Sequence, residues 1–375
     1  MTKANIFITD SDYSCDDKSF EYLLWFQPSM GWMILTEEKL FIILDSRYFD
    51  KTKSINKKNI FNILDRELEI IYIKANNIIW DIIEILWENN LEKIIFEWKI
   101  AWEYIKKIKK DVKKDVFAKH LYKVIFKISE WWFFSDKRIT KNNSELEKIE
   151  KAIKIIDKTF DYITELNKYW ELKWKTENQI RWIIISKIFE FWWTWESFDA
   201  IVAFGKNSAI PHHDTWETII EDWVLLIDMW AKFGWYCSDF TRIFWVWEKN
   251  KQYEKFSEIH KIVKQAHLNA FENTISWMTG KEIDNLTRKV IEDAWYWKKY
   301  IHWTGHWVGL DIHENPYINS KSEEEIKNGM VFTIEPWIYL EWEFWIRLED
   351  IVIMEKGKLI KYSEVEFQNI QIQKK

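Results

Sequence analysis

Glycine is nearly missing: eight occur among 375 residues, about 2% of the chain where globular proteins carry about 7%. Cysteine is scarcer still, and two thiols, Cys15 and Cys237, cannot build a disulfide framework. That excludes a small disulfide-stapled scaffold and sets the expectation of a reducing, cytoplasmic environment. Positive charge is short as well. The net charge is −6 and the pI near 5.9, which argues against a general nucleic-acid binder, whose basic patch would dominate its domain. The one basic cluster, KKIKKDVKK at 106–114, has apolar residues at helical intervals and reads as a solvated helix face. No apolar run approaches the roughly 20 residues of a membrane helix, because Asp81 and Glu84 interrupt the best candidate, NIIWDIIEILW. The opening residues, MTKANIFITDSDYSCDD, lack the basic and apolar blocks of a signal peptide. Neither a nucleic acid nor a membrane is expected as a partner.

What is present is a folded, two-domain composition. Apolar residues make up 47% and charged residues 30%, near globular averages, and the length suits two domains better than one. The first 135 or so residues alternate Ile-rich runs (33–47, 68–75, 93–97) with helical stretches such as IIWDIIEILWENN, an α/β or α+β pattern. The polar stretch SDKRITKNNSELEK at 135–148 reads as a linker. Beyond it, Ile149, Ala152, Ile153, Ile156, Phe160 and Ile163 recur at helical steps, and a second helix is expected at about 177–192. Strand-like segments (DAIVAFG, VLLIDM, CSDFTRIF), a helical stretch at roughly 251–294, and further strands (VFTIEP, IRLEDIVIM, KLIKYSEV) follow. Helices then strands, twice over, point to an α+β domain of two similar halves. The expected boundaries are 1–138 for the smaller α/β domain and 139–375 for the larger.

The larger region holds every histidine except His120 and a series of acids in apolar surroundings. Asp228 lies in VLLIDM, Asp239 in YCSDFTR, His306 in TGHW, Glu335 in FTIEP and Glu349 in IRLED. A lone buried acid is usually a satisfied ion pair, but five such positions beside a histidine-rich loop ask for a cation, since an unpaired buried carboxylate costs several kcal/mol. Four carboxylates and one imidazole suit hard or borderline divalent ions, Mn²⁺ or Co²⁺ ahead of Zn²⁺. That much negative charge makes two metals more plausible than one. The HExxH pattern of mononuclear zinc peptidases is absent.

In order, PHH at 211–213, IDMWAKFGWYCSDFTR, HWTGHWVGLDIHENP, FTIEPWIYL and WIRLEDIVI resemble the motifs of the pita-bread metallopeptidases, in particular the aminopeptidase P and prolidase branch. With the N-terminal region the resemblance spans essentially the whole chain. It implies a creatinase-like N-terminal domain and a pita-bread catalytic domain. It also implies Asp228 on one metal ion, Asp239 and Glu349 bridging two, and His306 with Glu335 completing the other. Further, it implies that His212 and His313 contact the substrate carbonyl and the tetrahedral intermediate, that His302 lines the pocket, that Glu335 shuttles a proton, and that Arg347 orients a ligand carboxylate. Tyr236 and Thr241 are weaker supporting candidates. The implied activity is removal of an N-terminal residue preceding proline, by a homodimer or larger homo-oligomer. The alternatives are an Xaa-Pro dipeptidase (prolidase) and an inactive binding protein on the same fold.

One departure from the family runs in a single direction. Where the family has glycine, this chain has Trp230, Trp235, Trp307 and Trp337, and Trp295, Trp297, Trp303, Trp342 and Trp345 look like the same exchange. Tryptophan, at 28 residues, is in excess by roughly what glycine is short of its usual share. A tight turn or a close ligand approach favours glycine. These tryptophans therefore read as glycines encoded by UGA and rendered under the standard code, in a Lys-, Ile- and Asn-rich chain that points to an AT-rich genome. Trp102, in a helical segment without a turn, reads as an authentic packing aromatic.

Overall fold

The computed structural model describes residues 3–10, 18–75, 77–89, 91, 93–96, 101–112, 125–128, 134–168, 171–191, 200–210, 213–221, 223–246, 248–300, 302–341 and 343–367. His212 and Trp342 lie outside these, as does the side chain of Trp102. The chain divides into two compact units, Met1–Lys137 and Arg138–Lys375.

The first unit is built on a six-stranded mixed sheet. Its order is Glu69–Lys74, Lys39–Leu44, Met30–Leu35, Lys3–Asp10, Lys93–Phe96, Ile125–Ile128. The run at 33–47, expected as one extended segment, belongs to a hairpin that turns at 36–38, where Lys39 N donates to Thr36 Oγ1 at 2.9 Å. Helices Ile78–Glu88 and Ala101–Val112 alternate with the last three strands of the sheet, and Ile82, Leu86, Ile105 and Ile108 bury against Ile6, Trp32, Ile34 and Ile43. Lys106, Lys107, Lys109 and Lys110 therefore belong to an amphipathic helix, as the spacing predicts, while 113–114 lie outside the described residues.

The second unit corrects the linker expectation. The stretch 135–148 is mostly helical: Ser135–Ile139 forms one short helix, and Asn143–Lys168 begins inside the polar run. The physical reason is a capping arrangement that composition conceals. Asn142 Oδ1 accepts from Ser144 N at 2.9 Å, while Glu145 Oε2 accepts from Asn142 N at 2.8 Å, so exposed donors at the helix start are satisfied by polar side chains. The second predicted helix is observed as Glu177–Phe191. The stretch at 251–294 is two helices, Tyr253–Asn273 and Gly280–Asp293, the second opened by a capping box between Thr279 and Glu282.

These helices cover strands grouped in a three-stranded sheet (Phe240–Trp245, Val224–Met229, Ile201–Phe204), a five-stranded sheet (Glu314–Ile318, Gly305–Trp307, Val331–Ile334, Asp350–Glu355, Lys358–Ile360) and the hairpin Trp337–Leu340 with Phe344–Arg347. The halves meet where Thr241 bridges to Glu349. Apolar residues from both fill the core: Leu226, Ile243, Phe256, Val263, Phe344 and Ile346 pack in one cluster. This architecture is the pita-bread fold with a separate N-terminal domain.

Candidate metal centre and catalytic cleft

Strand pairing brings the five acidic and imidazole positions together. Asp228, in Val224–Met229, sits opposite Thr241 in the neighbouring strand. Asp239 immediately precedes that strand, and Glu349 immediately precedes Asp350–Glu355. His306 is central in Gly305–Trp307, and Glu335 follows Val331–Ile334. All five are buried. Side chains two apart along a strand share a face, so Thr333 lies beside Glu335 and donates from Oγ1 to Glu335 Oε1 at 3.1 Å. Gly305 allows the close approach that brings His306 to this face, since a Cβ there would collide with the Thr333 carbonyl.

The donor atoms converge. His306 Nε2 is 3.4 Å from Glu335 Oε1 and 3.5 Å from Asp239 Oδ2. Ligand atoms of Asp228, Asp239 and Glu349 lie within 4.8 Å of one another, and so do those of His306, Glu335 and Glu349, and of Asp239, His306 and His313. Asp239, His306 and Glu349 each belong to two of these groups. Arg347 is bonded to Asp228, stands 3.6 Å from Glu335 Oε2 and 3.7 Å from Glu349 Oε2, and donates to Thr241 Oγ1 at 2.9 Å.

One guanidinium does not balance four carboxylates, and the titration behaviour shows the deficit. Burial, then repulsion from Glu349, Asp228 and Glu335, holds Asp239 well above the usual carboxylate range. Burial and the nearby Glu335 do the same to Glu349, and burial pushes Glu335 up to about 7. Burial also drives the His306 imidazole down to about 4, so it is neutral and able to coordinate. Asp228 Oδ1 is buried without a hydrogen-bond partner, a condition costing about 1–3 kcal/mol or more unless a cation takes the oxygen. The donor set therefore fits divalent metal ions.

The cluster floors a cavity of about 630 Å³. His302, His313 and Arg347 line it, with Ile201, Ile210 and Tyr317 on the apolar side. The His313 ring lies edge-on to His306 at 4.5 Å, and His302 lies 4.9 Å from Trp337. His213, the neighbour of His212, is bonded at 2.9 Å to the buried Glu177. Tyr236 is engaged elsewhere, donating to Glu145 Oε1 at 2.5 Å, whereas Thr241 donates to Glu349 itself.

A profile of metallopeptidase family M24 matches residues 147–356. The chain belongs to the M24 metallopeptidases. Among relatives of this M24 enzyme, a putative Xaa-Pro aminopeptidase of Mycoplasma genitalium is 30% identical over 352 residues, 93% of this chain and 90% of that protein. An Xaa-Pro dipeptidase of Pyrococcus furiosus is 36% identical over 236 residues, covering 62% of this chain and 65% of that one. The solved prolidase of Pyrococcus furiosus superposes with a TM-score of 0.77 at 26% identity, over 97% of this chain and 96% of its own. An X-Pro aminopeptidase from Thermotoga maritima shares the fold at a TM-score of 0.82 and 24% identity, over 98% and 97% of the two chains. This M24 peptidase is thus a hydrolase of the Xaa-Pro peptidase family and of a metal-dependent class. Among its described residues no helix is long and apolar enough to cross a membrane.

Several contributors to the site were not singled out within their motifs. Arg242, buried, donates to the Glu349 carbonyl at 2.5 Å, to Asp350 Oδ1 at 2.6 Å and to the Val365 carbonyl at 2.9 Å. Thr304, between His302 and His306, donates to the fully buried Asp284 at 2.7 Å, and its carbonyl accepts from Glu335 N at 2.8 Å. Each had a sequence signal, Arg242 in CSDFTR, Thr304 in HWTGHW and Thr333 alternating with Glu335 in FTIEP.

Proposed function

We propose that this M24 peptidase is an Xaa-Pro aminopeptidase working with two divalent ions, Mn²⁺ or Co²⁺. The observation that carries this is the convergence of Asp228, Asp239, His306, Glu335 and Glu349 in overlapping groups around an orphaned carboxylate oxygen. Asp228 would hold one ion, His306 and Glu335 the other, and Asp239 and Glu349 would contribute to both. When bound, the ions supply Lewis acidity and water acidified enough to ionise at neutral pH. Arg347 holds Asp228 in its ligating orientation through their direct ion pair. Glu335 accepts a proton from the attacking water and returns it to the departing proline nitrogen. His313, with His212, donates to the carbonyl oxygen as negative charge develops there, and His302 lines the pocket. Proline next to the scissile bond gives a tertiary amide without N–H and with a locked φ, which general proteases do not accommodate.

Support for the aminopeptidase over the dipeptidase comes from the long alignment with the Mycoplasma protein. Support for the dipeptidase is the higher identity to the Pyrococcus enzyme over a shorter span. Turnover of Xaa-Pro-Yaa tripeptides against Xaa-Pro dipeptides, with and without Mn²⁺, decides: faster dipeptide turnover overturns the aminopeptidase reading. The retained ligand set counts against an inactive binding protein. The same reading has the enzyme act in the cytoplasm as a homodimer or larger homo-oligomer, checked by light scattering.

We also propose that much of the tryptophan stands where the native chain has glycine. Among the described residues, seven non-glycine positions have φ > 0, and five are tryptophans: Trp25, Trp174, Trp235, Trp277 and Trp295. Gly234 and Trp235, at φ 52 and 74, form the two-residue turn between Lys232–Phe233 and Tyr236–Cys237, where both positions favour glycine or asparagine. Trp337 and Trp345 line the cleft, so glycine there enlarges the substrate space. Mass spectrometry of the native protein tests this: tryptophan in peptides spanning 295–310 ends the idea.

A further inference from the structure

His313 ends the six-residue turn 308–313 between strands Gly305–Trp307 and Glu314–Ile318. A turn of this kind holds a ring in one place only if its backbone groups are tied down, and here one carboxylate does much of the tying. Glu314 Oε1 accepts from Leu310 N at 3.0 Å and from Asp311 N at 3.4 Å. Its other oxygen accepts from Lys141 Nζ at 3.1 Å. Arg138 bonds Glu314 and also Asp311, the latter at 2.7 Å. Gly309 makes room: a Cβ there would stand 2.5 Å from Glu314 Oε1. The cations are themselves anchored, since Lys141 N donates to the Gly329 carbonyl at 2.8 Å and Thr140 bridges to Met330. From the other side, Cys237 N donates to the Gly309 carbonyl at 2.8 Å.

We propose that Arg138, Lys141 and Glu314 are positioning residues for the His313 imidazole, setting where that ring meets the substrate carbonyl. The inference rests on the substrate contact assigned to His313. None of the three lines the cleft, and their charges balance among themselves and Asp311, so metal binding does not require them. What they contribute is a fixed backbone from 309 to 314, and with it the place of the ring next to His306.

The test uses Arg138→Lys, which keeps the charge but has a shorter side chain that withdraws the single nitrogen, Nη2, bonding both Asp311 and Glu314, beside Glu314→Gln and His313→Asn, all in the full-length chain. With Mn²⁺ present, R138K is expected to lower kcat by about 10–100-fold, the usual effect of losing an orienting partner, with KM and calorimetric Mn²⁺ binding little changed. In the H313N background it should cost nothing further, because the two changes act through one ring. In metal-free protein, the His313 Hε1 resonance, assigned by its loss in H313N, should shift or broaden in R138K while that of His306 stays put. Multiplying effects of R138K and H313N, or an unmoved His313 resonance, overturns the proposal; so does folded E314Q with full kcat. If H313N itself retains full turnover, the catalytic role of His313 fails instead, and the resonance still decides whether the cluster places the ring.

Discussion

Trp295 offers a quantitative test of the idea that backbone geometry here was shaped for glycine. It follows helix Gly280–Asp293 with φ 65, its N–H bonded to the Glu292 carbonyl at 2.8 Å and that of Tyr296 to the Ile291 carbonyl at 3.0 Å. This is the Schellman pattern, whose left-handed position is usually glycine. A side chain with a Cβ costs about 1–2 kcal/mol in that conformation, and glycine's extra freedom in the unfolded chain returns about 0.5–1 kcal/mol. The indole is 87% exposed, so little burial is lost with it. W295G, made in the tryptophan-bearing chain, should therefore stabilise by about 0.5–1 kcal/mol. Trp182 is the control: it is 66% exposed inside helix Glu177–Phe191, where glycine should destabilise by about 0.5 kcal/mol through helix propensity. Equilibrium urea unfolding, with unchanged m-values, measures both. If W295G destabilises the chain as much as W182G, backbone strain at 295 is not real and the structural support for glycine falls with it.

Three further outcomes follow from the buried charges. Arg242→Met should destabilise by about 3–5 kcal/mol, because it strips the fully buried Asp350 of its main counter-charge; urea unfolding within 1 kcal/mol of the parent would contradict this. Glu314 is held down to about 2 mainly by Arg138 and Lys141 against its burial, so its roughly 3 kcal/mol of stability is present above the unfolded value of about 4.5 and lost as pH falls through about 2. E314Q should remove that part of the acid transition, visible in the pH dependence of unfolding. Finally, because Glu335, Asp239 and Glu349 are all held above the ordinary carboxylate range, Mn²⁺ uptake near pH 6 should release about one proton or more per chain. Calorimetry in buffers of different ionisation enthalpy reads this directly, and binding without proton release would mean the cluster is already ionised.

Asp228, Asp239, His306, Glu335 and Glu349 were recognisable before any fold because each acid stood in an apolar segment, where only a partner could justify it. Arg138 and Lys141 were not recognisable. They lie in a polar stretch that looks like linker, and their meaning depends on Glu314, more than 170 positions away. Asn142 misled in the same way: a residue that reads as loop composition is the cap from which a 26-residue helix starts. His302 and Arg347 were assigned by resemblance, and only the folded chain brings the two to one cavity.

From residue order alone came the class of chemistry, the ligand types and the mismatch between tryptophan and turn, because apolar periodicity, local motif and conformational preference are properties of short segments. Tertiary structure alone decided which oxygen was left without a partner, how far one arginine could neutralise four acids, and which distant cations meet Glu314. Those depend on distances across strands that share no sequence neighbourhood, and burial sets the strength of each charge only after the chain has closed around it.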